Sequence, residues 1–265
     1  MSKISAYQAK QVNADGTISY TSEEDAVWRD LFAQQLPNIR RLCAKEYLDG
    51  FDRLGLPHDR VPQCPEVSAS LRPLTGWQVD PVPALIGFRQ FFTMLANKTF
   101  PAASFIRSRA DFDYIKEPDI FHEIFGHTPL LTDARFAHFS QAIGKAGQTA
   151  QSKDHAWLIR LYWFTIEFGL TRSDDGFKAL GSGLASSPTE LPHSIEAPDV
   201  IRREFDVMDI LRTPYRIDIH QPVYFVLENI DTLFQAAERD LIADVHAAQD
   251  LGLFAPEYPN EQKAG

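Results

Sequence analysis

The stretch PDIFHEIFGH, residues 118–127, decides how the rest of the chain is read: it places His122 and His127 five residues apart, with Glu123 beside the first. An α-helix turns about 100° per residue, so side chains at i and i+5 diverge by about 140° around its axis. The pair therefore does not share one α-helical face, and the zinc-protease pattern HExxH, which needs i and i+4, is absent. For both imidazoles to reach one ion, the helix must end or distort between them. Gly126, with Pro129 just beyond, is where the sequence permits this. The alternative is that both histidines are ordinary helix surface.

A second segment, RLYWFTIEFGL at 160–170, carries Glu167 as the one charge between residues 161 and 170. No basic residue stands at 163, 164, 170 or 171, so no helical neighbour neutralises it. Such a carboxylate either faces solvent or, if buried, needs a metal or a cation. Two imidazoles and one carboxylate with open positions beside them match the facial triad of non-haem Fe(II) oxygenases, and a His₂Glu set also suits catalytic zinc.

Outward from these segments the pattern is mainly helical. Residues 1–22 are polar with a DG turn and read as an N-terminal arm; residues 23–265 read as a single domain. Ser22 is a candidate N-cap for one or two amphipathic helices through SEEDAVWRDLFAQQLPNIRRLCAKEYLDGFDRLGL. The Pro-punctuated PHDRVPQCPEVSASLRPLTGW holds a short helix, TGWQVDPVPALI is strand-like, and GFRQFFTMLANKTFP is a helix stopped by Pro101. Helical pattern returns in DARFAHFSQAIGKAGQ, DHAWLIRLYWFTIEFGL and NIDTLFQAAERDLIADVHAAQDLGLF. GFKALGSGLASSPTEL reads as loop and turn, and RTPYRIDIHQPVYFV as one or two strands. The fold class expected is mainly α with small β pieces, α+β.

With 265 residues and 44% apolar content the chain can bury a sizeable core without staples. A formal net charge of −10 argues against nucleic-acid and anionic-membrane partners, which need a basic surface. Cys43 and Cys64 are the two cysteines and form no CxxC pair, so neither a disulfide framework nor a thiolate zinc cluster is expected. The N-terminus has no apolar leader, and no run of eighteen apolar residues occurs. A soluble, cytoplasmic protein is the expectation.

These segments together resemble the catalytic domain of the pterin-dependent aromatic amino acid hydroxylases, and most closely the single-domain bacterial phenylalanine 4-hydroxylases. The resemblance rests on EYLDGFDRLGLPHDRVPQ, TGWQVDPVPALI, FFTMLANKTFPAASFIR, YIKEPDIFHEIFGHTPLL, RLYWFTIEFGL, GSGLASSP and RTPYRIDIHQPVYFV, and runs from about residue 25 to about 255. It implies that family's catalytic-domain fold, and Fe(II) held by His122, His127 and Glu167, where a tetrahydropterin such as tetrahydrobiopterin and O₂ react to hydroxylate an aromatic ring.

For the substrate, the resemblance implies Arg107 as the partner of the amino acid carboxylate, which a guanidinium fork suits. Tyr114, Pro118, Trp163, Phe168 and Gly183 match positions lining the amino acid site, and Ser186 a position supporting the first histidine. Read alone, Arg107 would be a surface charge, and Trp163 and Phe168 core. For the pterin, Phe91 matches the stacking aromatic, Glu123 a water-mediated contact, and Ile86, Phe88, Ile159 and Tyr162 neighbouring positions. Ala84, Phe88 and Ile115 replace a glycine, a serine and a threonine of the animal enzymes, so side-chain contacts differ there.

Trp163 is typical of the phenylalanine and tyrosine members, and Ile217 stands where tyrosine hydroxylases carry Asp. L-Phenylalanine is the expected substrate and phenylalanine breakdown to tyrosine the expected role, with tyrosine or tryptophan hydroxylation, or a zinc hydrolase built on HExxGH, as alternatives. With no heptad tail after LGLFAPEYP, a monomer is expected.

Overall fold

In the computed structural model, which describes residues 7–83, 85–113, 115 and 117–258, helix α1 (Ser22–Leu42) is capped by Thr21 and not by Ser22. Thr21 Oγ1 accepts from the Glu24 N–H at 3.2 Å, and Glu24 Oε2 accepts from the Thr21 N–H at 2.7 Å. This reciprocal box needs Glu or Gln at the third helical position, which Thr21 has and Ser22, followed there by Asp25, lacks. Helix α2 (Lys45–Leu54) follows a two-residue break, Cys43 and Ala44, and stops on Gly55 at φ 56°. Helix α3 (Cys64–Thr75) is the helix inside the Pro-punctuated connection.

Strand β1 (Gln78–Val82), helix α4 (Phe88–Ala96) and strand β2 (Thr99–Ala103) come next, with β1 and β2 paired in parallel, Gln78 opposite Thr99. Pro101 does not stop α4. The helix ends at Asn97, Lys98 at φ 56° reverses the chain, and Pro101 lies inside β2.

Residues Phe121–His127 form a π-helix. Helix α5 (Ala134–Thr149) is capped by the Asp133 side chain, and α6 (His155–Tyr162) runs into a second π-helical segment, Trp163–Glu167. Strands β3 (Leu170–Ser173) and β4 (Gly176–Ala179), helices α7 (Ser182–Ala185) and α8 (Glu190–Glu196), strand β5 (Ile201–Glu204) and helix α9 (Val207–Arg212) follow. Strand β6 (Val223–Leu227) and helices α10 (Asp231–Ala237) and α11 (Leu241–Leu251) complete the described chain. The second sheet has the order β4-β3-β6-β5, with β4 antiparallel to β3 and the other pairs parallel.

Two expectations are corrected. The Gly/Ser/Pro-rich stretch read as loop contains β4, α7 and the start of α8. Of RTPYRIDIHQPVYFV only Val223 onward is strand, and residues 213–222 are irregular. The arm packs on the domain: Tyr7 stacks on Phe105 with ring centroids 4.6 Å apart, and Ile18 is buried.

The core explains how the first ligand-bearing segment is held. Phe121 and Phe125 stack at 4.6 Å and meet Trp28 and Phe32 from α1 at 5.3 and 5.4 Å. Each phenyl ring so buried contributes about 1.5–3 kcal/mol. These two residues, four apart, face the core, while His122 and His127, five apart, face the other way.

Candidate metal centre and active site

The five-residue spacing is resolved by the π-helix. In a π turn the hydrogen bond runs from i to i+5, so residues five apart stand one turn above each other. The helix neither ends at Gly126 nor breaks before Pro129; its turns widen across the whole of Phe121–His127. The second segment does the same, with the Phe168 N–H donating to Trp163 O at 2.9 Å across five residues. Side chains stabilise the wider turns by taking carbonyls: Tyr47 Oη donates to Phe125 O at 2.6 Å and Thr165 Oγ1 to Leu161 O at 2.5 Å. Helix α7 packs closely beside both segments. A Cβ on Gly126 would lie 2.7 Å from Ser182 O, so only glycine fits at that crossing.

His127 Nε2 lies 3.2 Å from His122 Nε2 and 3.1 Å from Glu167 Oε1, and His122 Nε2 lies 3.7 Å from Glu167 Oε2. Donors bound at about 2.1 Å sit roughly 3.0 Å apart at right angles and roughly 3.4 Å apart at tetrahedral angles, so the three groups fit one ion. Hard oxygen and borderline nitrogen donors suit iron as well as zinc. Glu123 joins the cluster, with ligand atoms of His122, Glu123 and His127 all within 4.8 Å of one another. Its Oε2 is 4.0 Å from His127 Nε2, farther than Glu167 Oε1.

Electrostatics separates the two carboxyls. Burial raises Glu167, but facing His127 and His122 and the Gly183 N–H hold it below the ordinary carboxylate value. Burial, then Glu167 and Asp119, push Glu123 well above that value, opposite in direction to Glu167. Burial lowers His122 to about 4, which keeps its imidazole neutral and able to ligate.

The hydrogen bonds around the histidines select a tautomer. Ser186 Oγ donates to Ser182 O at 3.0 Å, leaving its oxygen to accept from His122 Nδ1–H at 2.9 Å. The Nε2 lone pair of His122 is then directed at the cluster. His127 lies against Phe100, centroids 4.5 Å apart, with Tyr162 Oη 3.4 Å from its Nδ1.

Arg107 is no surface charge: it is 4% exposed and its Nε and Nη2 donate to Asp119 at 2.8 and 2.9 Å. The same carboxylate accepts from the Arg107 N–H at 2.9 Å and the His122 N–H at 3.1 Å. One buried ion pair thus ties the chain after β2 to His122, the first candidate ligand. Asp119 occupies the side-on fork of the guanidinium and Nη1 donates to Phe112 O at 3.4 Å, which leaves one further N–H on each of Nη1 and Nη2 for a second carboxylate.

Trp163 stacks on Tyr215 and meets Phe168 at a tilt, with centroids 4.5 Å away in both cases. Phe168 and Glu167 both approach Gly183, where an added Cβ would stand 3.0 Å from Phe168 Cζ and 3.0 Å from Glu167 Oε2. Trp163, Phe168, Gly183 and Ser186 are therefore gathered around the carboxylate and the first histidine, and Pro118 adjoins Asp119. Phe91 packs edge-on against Tyr162 at 5.2 Å, which links the expected pterin wall to His127. Ile86 and Ile159 are half-buried, and Phe88 is 50% exposed against Phe92 and His155.

Ile217 is not brought to the metal centre. It is 59% exposed and lines, with Arg160, Tyr215 and Leu253, a cavity of about 540 Å³ that no metal-ligand residue lines. Tyr114 and Ala84 lie outside the described residues.

Two further residues escaped the sequence reading. Asp119 is one; its signal was an acid three residues before His122, the spacing of a side chain that caps a helix start. Gln35 is the other: its Nε2 donates to Ala185 O at 2.8 Å and Ser187 O at 3.1 Å, holding the turn that presents Ser186. A lone amide among Val27, Leu31 and Ile39 on the apolar face of α1 was the available sign.

A family model described as biopterin-dependent aromatic amino acid hydroxylase matches residues 2–243. A phenylalanine-4-hydroxylase of Pseudomonas aeruginosa is 48% identical over 262 residues, covering 99% of this chain and 100% of its own. The apo structure of the cold-active phenylalanine hydroxylase of Colwellia psychrerythraea matches with a TM-score of 0.92 at 46% identity, over 95% of this chain and 97% of that one. The Chromobacterium violaceum phenylalanine hydroxylase, solved with bound oxidised Fe(III), matches with a TM-score of 0.88 at 34% identity, over 96% and 94%.

Proposed function

The chain belongs to the biopterin-dependent aromatic amino acid hydroxylase family, and from that premise we infer that it is a phenylalanine 4-monooxygenase. It hydroxylates L-phenylalanine to L-tyrosine with O₂ and a tetrahydropterin at a non-haem Fe(II). The observation that carries the reading is the convergence of His122 Nε2, His127 Nε2 and the Glu167 carboxylate, its two oxygens 3.1 and 3.7 Å from the imidazoles, from paired π-helical segments.

The iron, when bound, supplies with the pterin the activation of O₂ that a protein side chain cannot perform. Everything else falls to the chain. His122, His127 and Glu167 hold one face of the ion and leave the other open. Ser186 keeps the proton of His122 on Nδ1. Arg107, fixed by Asp119, receives the amino acid carboxylate on its remaining donors, and Pro118 adjoins Asp119 in the chain. Trp163, Phe168 and Gly183 form the slot for the aromatic ring, and Ile217, in the separate cavity beside Tyr215, takes no part in it. A bound pterin would be held by Phe91, flanked by Ile86, Phe88, Ile159 and Tyr162, with Glu123 contacting it through water.

Residues 23–265 act in this reading as one catalytic domain behind an arm at 1–22, working as a monomer in the cytoplasm on a small substrate. In support, no helix among the described residues is long and apolar enough to cross a membrane. Anaerobic reconstitution with Fe(II), followed by turnover of L-phenylalanine with a tetrahydropterin, tests the function. Tyrosine is the expected product; iron binding without tyrosine formation defeats the assignment. Parallel assays with L-tyrosine and L-tryptophan are expected to show much slower turnover.

A further inference from the structure

Gln221 stands at the end of the irregular segment that precedes β6 and is 1% exposed. Both atoms of its side-chain amide and its backbone N–H are engaged. Its Oε1 accepts from Trp163 Nε1 at 3.1 Å. Its Nε2 donates to Arg216 O at 2.7 Å and to Ile219 O at 3.2 Å. Its backbone N–H donates to Glu190 Oε1 at 2.7 Å. A single amide therefore joins the indole on the second π-helical segment to the turn carrying Ile217, and a buried acid on α8 holds the backbone of that amide.

The surroundings leave the indole no other fixing point. The side chain of Trp163 carries one polar atom; Tyr215 stacks on the ring and Phe168 meets it at a tilt, contacts that confine its plane but not its slide within that plane. Tyr215 belongs to the same irregular segment that Gln221 closes. The backing is stiff: Glu190 Oε1 also accepts from Tyr224 Oη at 2.9 Å, and Tyr224 lies in β6, paired with Arg202 of β5. Glu190 has no Lys or Arg within ion-pair distance among the described residues, and the bonds from Gln221 and Tyr224 both end on its Oε1.

We propose that Gln221 is a positioning and specificity-determining residue for ring hydroxylation, fixing the Trp163 indole and the 216–219 turn against each other so that the slot accepts phenylalanine in one pose. The inference rests on the assignment of Trp163 to the substrate slot. An asparagine, one methylene shorter, cannot span both sides. A leucine keeps the bulk and loses every side-chain bond, and a glutamate keeps the bond from Trp163 but cannot donate to the two carbonyls.

The test compares Gln221→Leu, Gln221→Glu, Trp163→Phe and the double variant Gln221→Leu/Trp163→Phe in the Fe(II)-loaded enzyme. The readouts are the ratio of kcat/KM for L-phenylalanine to that for L-tryptophan, and tyrosine formed per tetrahydropterin oxidised. Gln221→Leu is expected to lower the ratio about tenfold, the worth of one buried hydrogen bond, and to waste pterin, with Fe(II) affinity within threefold of the parent. Gln221→Glu, which keeps the acceptor for Trp163 but turns an oxygen toward the two carbonyls, is expected to move both readouts in the same direction. The double variant is expected to be no worse than the worse single one, because phenylalanine at 163 has no N–H to lose. If Trp163→Phe shifts both readouts while neither Gln221 variant does, the proposal is overturned and the slot assignment stands. If Trp163→Phe shifts neither, the slot assignment itself fails and takes the proposal with it.

Discussion

Replacing Ser186 by alanine removes one oxygen and should be felt at the metal. The Ser186 hydroxyl proton is given to Ser182 O at 3.0 Å, so its bond to His122 Nδ1 at 2.9 Å makes the serine the acceptor and the imidazole the donor. Without it, a Nδ1–H in a nearly closed site loses its partner, at a cost of about 1–3 kcal/mol. The other tautomer, which places the proton on Nε2 and blocks the metal, becomes competitive. Each 1.4 kcal/mol is about tenfold in affinity, so Fe(II) should bind about 10- to 100-fold more weakly, the range typical of lost outer-sphere partners of metal-bound histidines. Anaerobic Fe(II) titration by competition with a chelator measures the constant directly, and hydroxylation at excess Fe(II) should recover most of the parent rate. Fe(II) affinity within threefold of the parent, in a variant series where His122→Ala abolishes binding, would refute the tautomer argument.

Glu167→Gln should all but abolish Fe(II) binding and turnover, since the amide brings no negative charge to a site whose other ligands are neutral; stoichiometric Fe(II) uptake by the variant would contradict this. Arg107→Lys keeps the charge but not the side-on fork to Asp119. Its KM for L-phenylalanine should rise about 10- to 100-fold with the pterin KM unchanged. In Gly183→Ala, a new methyl 3.0 Å from both Glu167 Oε2 and Phe168 Cζ should cost about 1–3 kcal/mol, read as a lower melting temperature, with reduced kcat/KM. The metal-free protein should lose stability as pH falls from 6.5 towards about 4. His122 titrates near 6.5 when unfolded and near 4 when folded, so in that window the unfolded chain binds the extra proton. Urea midpoints should therefore fall more steeply with acid for the parent than for His122→Asn, and parallel curves would count against a buried neutral imidazole.

What could be read from the residues alone was whatever rests on local periodicity or on the family's motif. The apolar faces of α1, α2, α5 and α6 announced themselves, and the three metal-ligand candidates came from chemistry and spacing. Ser22 and Pro101 were misjudged because each is a plausible signal one position or one element away from the real one. Helices α7 and α8 and strands β3 and β5 span only four to seven residues. Their form is set by partners distant in sequence, such as β6 lying between β3 and β5. Asp119 and Gln35 were hidden for the same reason: their worth lies in Arg107 and in the turn around Ser186. The π-helix was half visible, since i+5 spacing ruled out a regular α-turn without saying that the helix would widen.

That widening bears on how metal sites change over time. A π turn holds one residue more than the α turn it replaces, so removing a single residue between Glu123 and Gly126 would leave HExxH, the spacing of a zinc hydrolase. The hydrogen-bond ladder would tighten by one rung, and Gly126, His127 and everything after them would rotate away from Ser182 and Glu167. An oxygenase site and a protease-like spacing are thus one codon apart in sequence. They remain far apart in structure, because every contact downstream of the insertion has been fitted to the extra residue.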